Sequence, residues 1–392
     1  MSVAMPLTVL LALLVLGIVL AFARPLRARW REPVLRMPVL VIESDDWGAG
    51  PLAQAAALQR LSALLQRVRD HTGRPAMMTL GVILEVPDGA RIAASGGVDY
   101  HALPLTDRVF EPVRQALQQG IAAGVFVPHL HGQCHYWPPA LMTASRTDEK
   151  VRAWLASPAP ATTETLPSHL QSRWVDASVL PSCALSHDAV SAAVAAEVAT
   201  FHAVFGTPPQ VAVATTFVWN AAVESAWRES GIETIVTPGR RATCRDAGGQ
   251  PGGVDATMLA GDRAPAGQTY LVRDVYFEPA YGHTPQRLLD GLRQRTCQGR
   301  ACLVETHRFN FLESADSFDT LETALHAALA AHPDVRFVTP LELARAMRQR
   351  DPQWIETRFL PRLAAWRARL DEIPHFARIA RWSGLSRRCR RP

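Results

Sequence analysis

Lysine is all but missing from this 392-residue chain: Lys150 is the only one, and every other basic side chain apart from histidine is arginine. The arginines are unevenly placed. Arg24, Arg27, Arg29, Arg31 and Arg36 against Glu32 leave residues 24–36 at +4, and residues 378–392 hold six arginines and no acid. Because the whole chain carries only +5, the stretch between these ends stands at about −5. That excludes a nucleic-acid-binding body, whose basic groups belong on the folded domain itself. With 48% hydrophobic and 20% charged residues, a disordered or collagen-like chain is excluded as well. The length suits one large barrel or two medium domains.

Cysteine is also sparse. Cys134, Cys183, Cys244, Cys297, Cys302 and Cys389 form no C-x-x-C pair and no zinc-finger spacing, so they read as small buried hydrophobes rather than a disulfide scaffold. Neither H-E-x-x-H nor G-x-S-x-G occurs, which removes the commonest metalloprotease and lipase signatures. One motif is present only in form. Gly48-Ala49-Gly50-Pro51-Leu52-Ala53 matches G-x-G-x-x-A, but Asp45 and Asp46 just before it would repel a pyrophosphate, so a nucleotide cofactor is rejected.

Charge is absent from Met1 to Ala23, where Leu7 to Ala23 is almost unbroken apolar sequence. At about 1.5 Å per residue that stretch just spans a hydrocarbon layer of roughly 30 Å, which predicts a single transmembrane anchor over 1–23. The arginine flank 24–36 then reads as a basic linker. By the positive-inside rule the domain behind it lies in the cytoplasm of a bacterial-type plasma membrane. The alternative is a periplasmic or extracellular domain; Ala21-Phe22-Ala23 also resembles a signal cleavage site.

What the chain does have is alternation. Apolar runs read as buried parallel strands at Val39–Ser44, Ala76–Leu84, Gly124–Leu130, Val211–Thr215, Thr234–Thr237, Tyr270–Asp274, Cys302–Thr306 and Val335–Val338. Helical spacing fills the gaps at Ala53–Arg69, Asp107–Gln119, Ala184–Phe205, Asn220–Glu229, Thr284–Arg295, Asp319–Ala331 and Pro340–Arg348. This predicts an α/β fold, a distorted (β/α) barrel over residues 37–350, with a doubly wound sheet as the alternative. Residues 156–182 and 238–269 read as long loops that shape the barrel mouth. Residues 351–392 form a basic helical tail, Trp354 to Trp382, whose first half packs on the barrel and whose last fifteen residues meet anionic lipid.

Chemistry concentrates at three predicted strand ends. The first strand ends in Ser44-Asp45-Asp46-Trp47-Gly48, and adjacent carboxylates repel unless a cation or proton relieves them. An acidic pair is as readily a turn or a helix cap; its place at the carboxyl end of a barrel strand favours function. His131-Gly132-Gln133-Cys134-His135 offers two imidazoles, expected on one face of a helical turn, that suit a metal with ligand distances of about 2.0–2.1 Å. His129 precedes them as a neighbour rather than a ligand. The third strand end, Glu305-Thr306-His307-Arg308-Phe309-Asn310, brings another histidine. Asp46, His131 and His135 would form a two-histidine, one-carboxylate centre with open positions for water and substrate, zinc being the expected metal. Asp45 and His307 are left as general base and general acid.

These segments together resemble the polysaccharide deacetylase (NodB-homology) family, carbohydrate esterase family four. The likeness spans roughly residues 37–350 and is closest to a divergent branch with S-D-D-W-G, H-G-x-x-H and H-R-x-N segments, here Ser44–Gly48, His131–His135 and His307–Asn310. The resemblance implies a seven-stranded barrel, Asp45 as base, His307 as acid, a metal on Asp46, His131 and His135, and an acetylated carbohydrate as substrate. Two departures stand out: Trp47 replaces the glycine that usually follows the aspartates, and the Arg-x-x-Pro segment that holds the base is missing. Arg273 or Arg308 is expected to support Asp45 instead, and Asp274 or Glu278 to orient His307. Tyr136, Trp137, Phe217 and Trp219 are candidates for stacking on a sugar ring. Two rivals remain, a metal-dependent phosphoesterase and a non-catalytic glycan-binding protein on the same fold.

Overall fold

The protein is described by a computed structural model covering residues 4–160, 162–387 and 389. Nine strands build its main sheet: β1 Val39–Gly48, β2 Met78–Ile83, β3 Phe126–Leu130, β4 Val211–Val213, β5 Thr234–Thr237, β6 Thr269–Val272, β7 Val275–Tyr276, β8 Cys302–His307 and β9 Arg336–Phe337. Their order is β6-β5-β4-β3-β2-β1-β8-β7, with β9 attached to β1, and every pair is parallel. β6 and β7 lie on opposite edges of this sheet, yet only Arg273 and Asp274 separate them. The chain itself therefore carries one edge across to the other, and the sheet curls until β6 and β7 form a single stave. Counted that way the path has seven staves. β9 is a short extra piece that pairs with Val39 and Leu40 only, below the point where β2 begins to pair at Ile42.

Side-chain alternation along the staves decides where the site can be. Leu40 and Ile42 point out and pack with Leu58, Leu61, Leu321 and Leu325 of surrounding helices, whereas Val39 and Val41 point in and meet Val211, Val213, Val236, Leu271 and Leu303. The inward rows then continue as Glu43 and Asp45 on β1 and as Glu305 and His307 on β8. An apolar plug thus closes the lower barrel and a charged layer sits above it, at the carboxyl ends of the strands. The seven expected helices are present as Gln54–Arg67, Glu111–Ala122, His187–Phe205, Ala221–Glu229, Pro285–Cys297, Asp316–Ala331 and Pro340–Gln349. Local chemistry fixes several ends: Ser186 and Asn220 accept backbone N–H groups at helix starts, and Thr339 with Glu342 forms a reciprocal capping box. The stretch 238–269 contains two small hairpin pairs, Arg240–Arg241 with Ala256–Thr257 and Cys244–Arg245 with Pro251–Gly252.

The two ends of the chain differ from the expected layout. The linker is a helix, Ala23–Arg31, and the tail is two helices, Phe359–Arg369 and Phe376–Trp382, rather than one. Linker and tail share an apolar cluster in which Phe22, Leu26 and Trp366 surround Leu370, Ile373, Phe376 and Ala380. Arg369 locks them to the barrel: its buried guanidinium donates to the carbonyls of Arg29, Glu32, Pro33, Gln298 and Gly299. Packing thus extends beyond the first half of the tail, as far as Ala380, because apolar residues persist at helical spacing among its arginines. The cysteines also need correcting. Cys297 and Cys389 form a disulfide, with Cα atoms 5.9 Å apart, and Cys183 is exposed; only Cys134 and Cys302 are free and buried. Spacing could not foretell a bond that depends on the tail folding back onto the helix Pro285–Cys297.

Among the described residues, one helix meets a length-and-apolarity test for a membrane span, His187–Phe205. It lies mid-chain, with Val190, Ala193, Val194 and Phe201 buried in the apolar layer between the staves and the surrounding helices. The N-terminal helix Ala4–Ala21 exposes Val9, Leu13, Val15, Leu16, Val19 and Leu20.

Candidate metal centre and active site

β1 runs straight from the barrel interior into the site, and strict alternation would send Asp46 outward. A register shift between Ser44 and Trp47, with Asp46 in a left-handed conformation (φ 74°), turns it inward beside Asp45. Trp47 explains the missing glycine. It is fully buried, donates through Nε1 to Ser44 Oγ at 2.8 Å and stacks on Phe311, so the bulge is held by an aromatic wedge. Gln54 takes both the N–H and the carbonyl of Gly48, which leaves the glycine-rich turn pinned to its own helix.

His131 ends the inward row of β3. Its Nδ1 lies 3.1 Å from the Val213 carbonyl, which can only accept, so Nδ1 carries the hydrogen and Nε2 is free as a ligand atom. His135 does not follow on a helical turn, as the spacing suggested. Gly132 (φ 104°) breaks the strand, and a bent loop returns His135 so that the two rings lie 5.3 Å apart. The Nε2 atoms of His131 and His135 stand 3.5 and 3.3 Å from Asp46 Oδ1. All three residues are buried, their ligand atoms lie within 4.8 Å of one another, and Asp46 Oδ1 has no hydrogen-bond partner. A buried carboxylate oxygen without a donor, facing two imidazole nitrogens, is a costly arrangement by itself and a suitable one for a divalent cation. His129 stays outside the group; burial holds it neutral, its pKa lowered to about 3.

Asp45 is gripped from the other side. Burial alone would raise its carboxyl, but Arg273 donates to Oδ2 at 2.7 Å and, with His131, holds the pKa down to about 2. Arg273 also reaches Glu43 at 3.2 Å and Glu305 at 3.4 Å, all in the buried layer above the plug. Burial raises Glu43 to about 8, against the pull of Arg273. Arg273 occupies the crossing between β6 and β7, which is how an arginine reaches the base without an Arg-x-x-Pro segment. Gly81 on β2 makes room for the carboxylate, since a Cβ there would stand 2.3 Å from Asp45 Oδ1.

His307 lies across the mouth. Its Nδ1 is 2.5 Å from Glu278 Oε1, and Glu278 is in turn held by Asn310 and by Thr306 at 3.3 Å. Burial would lower the imidazole's pKa, yet Glu278, with Asp46 and Asp45, raises it to about 9.

The remaining expectations divide. Arg308 does not reach the Asp45 side chain: its backbone N–H donates to the Asp45 carbonyl, and its guanidinium pairs with Glu164 at 2.9 and 3.0 Å. Asp274 points away from the barrel and pairs with Arg295 at 2.8 Å, since it follows Arg273 with opposite parity. Phe217 lines the cavity beside Arg273. Tyr136 and Trp219 are core residues bonded to Tyr100 and Glu224, and Trp137 packs against Arg173. Tyr276, Tyr281, Phe309, Glu164 and Glu305 line the cavity instead, which measures about 390 Å³. Of these missed residues, Glu305 carried a signal: it stands two before His307 and so shares its face. A larger cleft of about 1210 Å³ between the tail and the helix Pro285–Cys297 holds ion-paired arginines and carboxylates, and none of the site residues line it.

No family model matches the chain, and no curated protein does. Among solved structures it is similar to a family 4 carbohydrate esterase from Streptomyces lividans in complex with acetate, at 11% identity over 77% of this chain and 98% of that one (TM-score 0.37). It is likewise similar to a peptidoglycan deacetylase from Bacillus subtilis, at 11% identity over 81% and 94% (TM-score 0.37). A pseudoenzyme of the same esterase family, from Bacillus anthracis, matches at 10% identity over 79% and 66% (TM-score 0.38).

Proposed function

We propose that this protein is a metal-dependent hydrolase that removes acetyl groups from a glycan or glycan precursor. The observation that carries the reading is the unpartnered buried Asp46 Oδ1 between two histidine Nε2 atoms, with Asp45 and His307 lining the same cavity. Asp46, His131 and His135 would hold the metal, and two nitrogens with one carboxylate suit zinc. Such an ion polarises an acyl oxygen and lowers the pKa of bound water to about 7. Asp45, kept ionised by Arg273, is the proton acceptor for the attacking water. His307, kept protonated by Glu278, donates to the leaving amine or hydroxyl as acetate departs. Phe217, Tyr276, Tyr281 and Phe309 supply apolar faces of the kind that sugar rings pack against.

Attachment to a membrane through residues 1–23 belongs to the same reading, supported by the exposed apolar side chains of helix Ala4–Ala21. Trp382, 96% exposed, and the exposed Arg378, Arg381 and Arg387 suit a headgroup layer beside it. The arginine flank and the Cys297–Cys389 bond favour opposite sides of that membrane, since disulfides persist in oxidising compartments.

The test is metal analysis with an acetate-release screen on acetylated oligosaccharides. Asp46→Ala should lose the metal, whereas Asp45→Asn should keep it and lose turnover. Equal metal loss in both variants would refute the division of roles.

A further inference from the structure

Apart from the metal triad, Asp45, Arg273 and His307, each charged side chain lining the cavity is a carboxylate: Glu164, Glu305 and Glu313. The one lining arginine, Arg273, has a fully buried side chain and is shared among Glu43, Asp45 and Glu305. Arg308, outside the lining, is 2% exposed and donates from Nη2 to both oxygens of the lining residue Glu164. Among the described residues, then, no lining arginine or lysine is free to receive a phosphate, sulfate or carboxylate, and the one other lining cation outside the metal triad, His307, is paired through Nδ1 with Glu278. Recognition of such groups depends on an uncommitted arginine, lysine or helix terminus. A like-charged group brought to this rim meets repulsion in a site of low dielectric.

We infer that the site selects acetylated sugars that are neutral or carry an amine next to the reacting acetyl group and rejects anionic ones, and that Glu164 sets this preference by neutralising Arg308. The inference rests on the deacetylase reading and names its substrate class.

The experiment compares N,N′-diacetylchitobiose with its 6-O-sulfated form on the metal-loaded full chain, by equilibrium binding and by acetate release. Sulfate is chosen because it is a weak metal ligand. The wild type should bind and cleave the neutral sugar at least tenfold better. Glu164→Gln leaves Arg308 without a carboxylate and should narrow that preference tenfold or more, with the change shrinking at 0.5 M salt. The double variant Glu164→Gln, Arg308→Met should restore much of it. Glu313→Gln, a milder change at the rim, should narrow the preference two- to threefold. Equal or tighter binding of the sulfated sugar by the wild type overturns the inference, as does an unchanged ratio in both single variants. Binding preference without acetate release from either sugar leaves the selectivity standing and removes the deacetylase reading.

Discussion

Glu278→Gln isolates the element that keeps His307 charged. The wild-type imidazole titrates near 9 because Glu278 Oε1 lies 2.5 Å from Nδ1, with Asp46 and Asp45 adding to the field. Glutamine keeps the shape but removes the charge, and its single acceptor oxygen can serve either His307 or Asn310, where Glu278 serves both. With that charge gone, burial, which lowers the pKa, remains, so the imidazole should titrate below 9, and each unit of that fall removes about 1.4 kcal/mol of preference for the protonated form. The sign follows from the role: a general acid must be protonated in the free enzyme, so activity is present below its pKa and lost as pH rises through it. At pH 8 the wild-type imidazole is about nine-tenths protonated and the variant should lose much of that share, while at pH 6 the change should be smaller. The assay is kcat/KM against pH for acetate release, with the His307 ring followed by NMR titration. The basic limb should move down from about 9. A limb left in place, or an equal loss at every pH, would refute the argument that Glu278 acts by charge.

Gly81→Ala places a methyl 2.3 Å from Asp45 Oδ1; it should cut kcat on the order of a hundredfold while metal content, read by atomic absorption, stays at wild type. Arg273→Met leaves Glu43, Asp45 and Glu305 without their shared cation and should cost about 3–5 kcal/mol of stability, a drop of roughly 10 °C in Tm by calorimetry. Arg273→Lys should recover part of that loss but not the bridging of three carboxylates. Peptide mapping of the full chain without reductant should find Cys297 joined to Cys389, and external protease should then digest the domain in intact spheroplasts; a protected domain with free thiols would return it to the cytoplasm.

How much of this was legible in the sequence depends on whether the signal was local. Each expected strand has a counterpart, because a barrel stave buried on both faces is a short apolar run that needs no partner to be recognised. The strand-end groups Asp45, Asp46, His131 and His307 were legible for the same reason: a charged residue that ends an apolar run has few other places to be. Arg273 is an intermediate case, since its approach to Asp45 is visible once β6 and β7 are seen as one stave interrupted at the sheet's two edges. Arg308 and Glu164 lie beyond that reach, as 144 positions separate them and the loop that brings Glu164 has no periodicity.

The same contrast separates arginines that are only surface charge from arginines that are structure as well. Arg29, Arg295 and Arg300 pair with Glu32, Asp274 and Glu372, joining linker, barrel and tail in one network. Burial would lower Glu372's ability to stay ionised, but Arg300, Arg29 and Arg295 hold its pKa at about 2. A carboxyl depressed in the fold contributes stability above its unfolded pKa of about 4.3 and loses it as pH falls toward 2. Net charge alone could not separate these committed arginines from the exposed ones at 378 and 387. What distinguishes them is a carboxylate contributed by a distant segment, and that is a property of the fold.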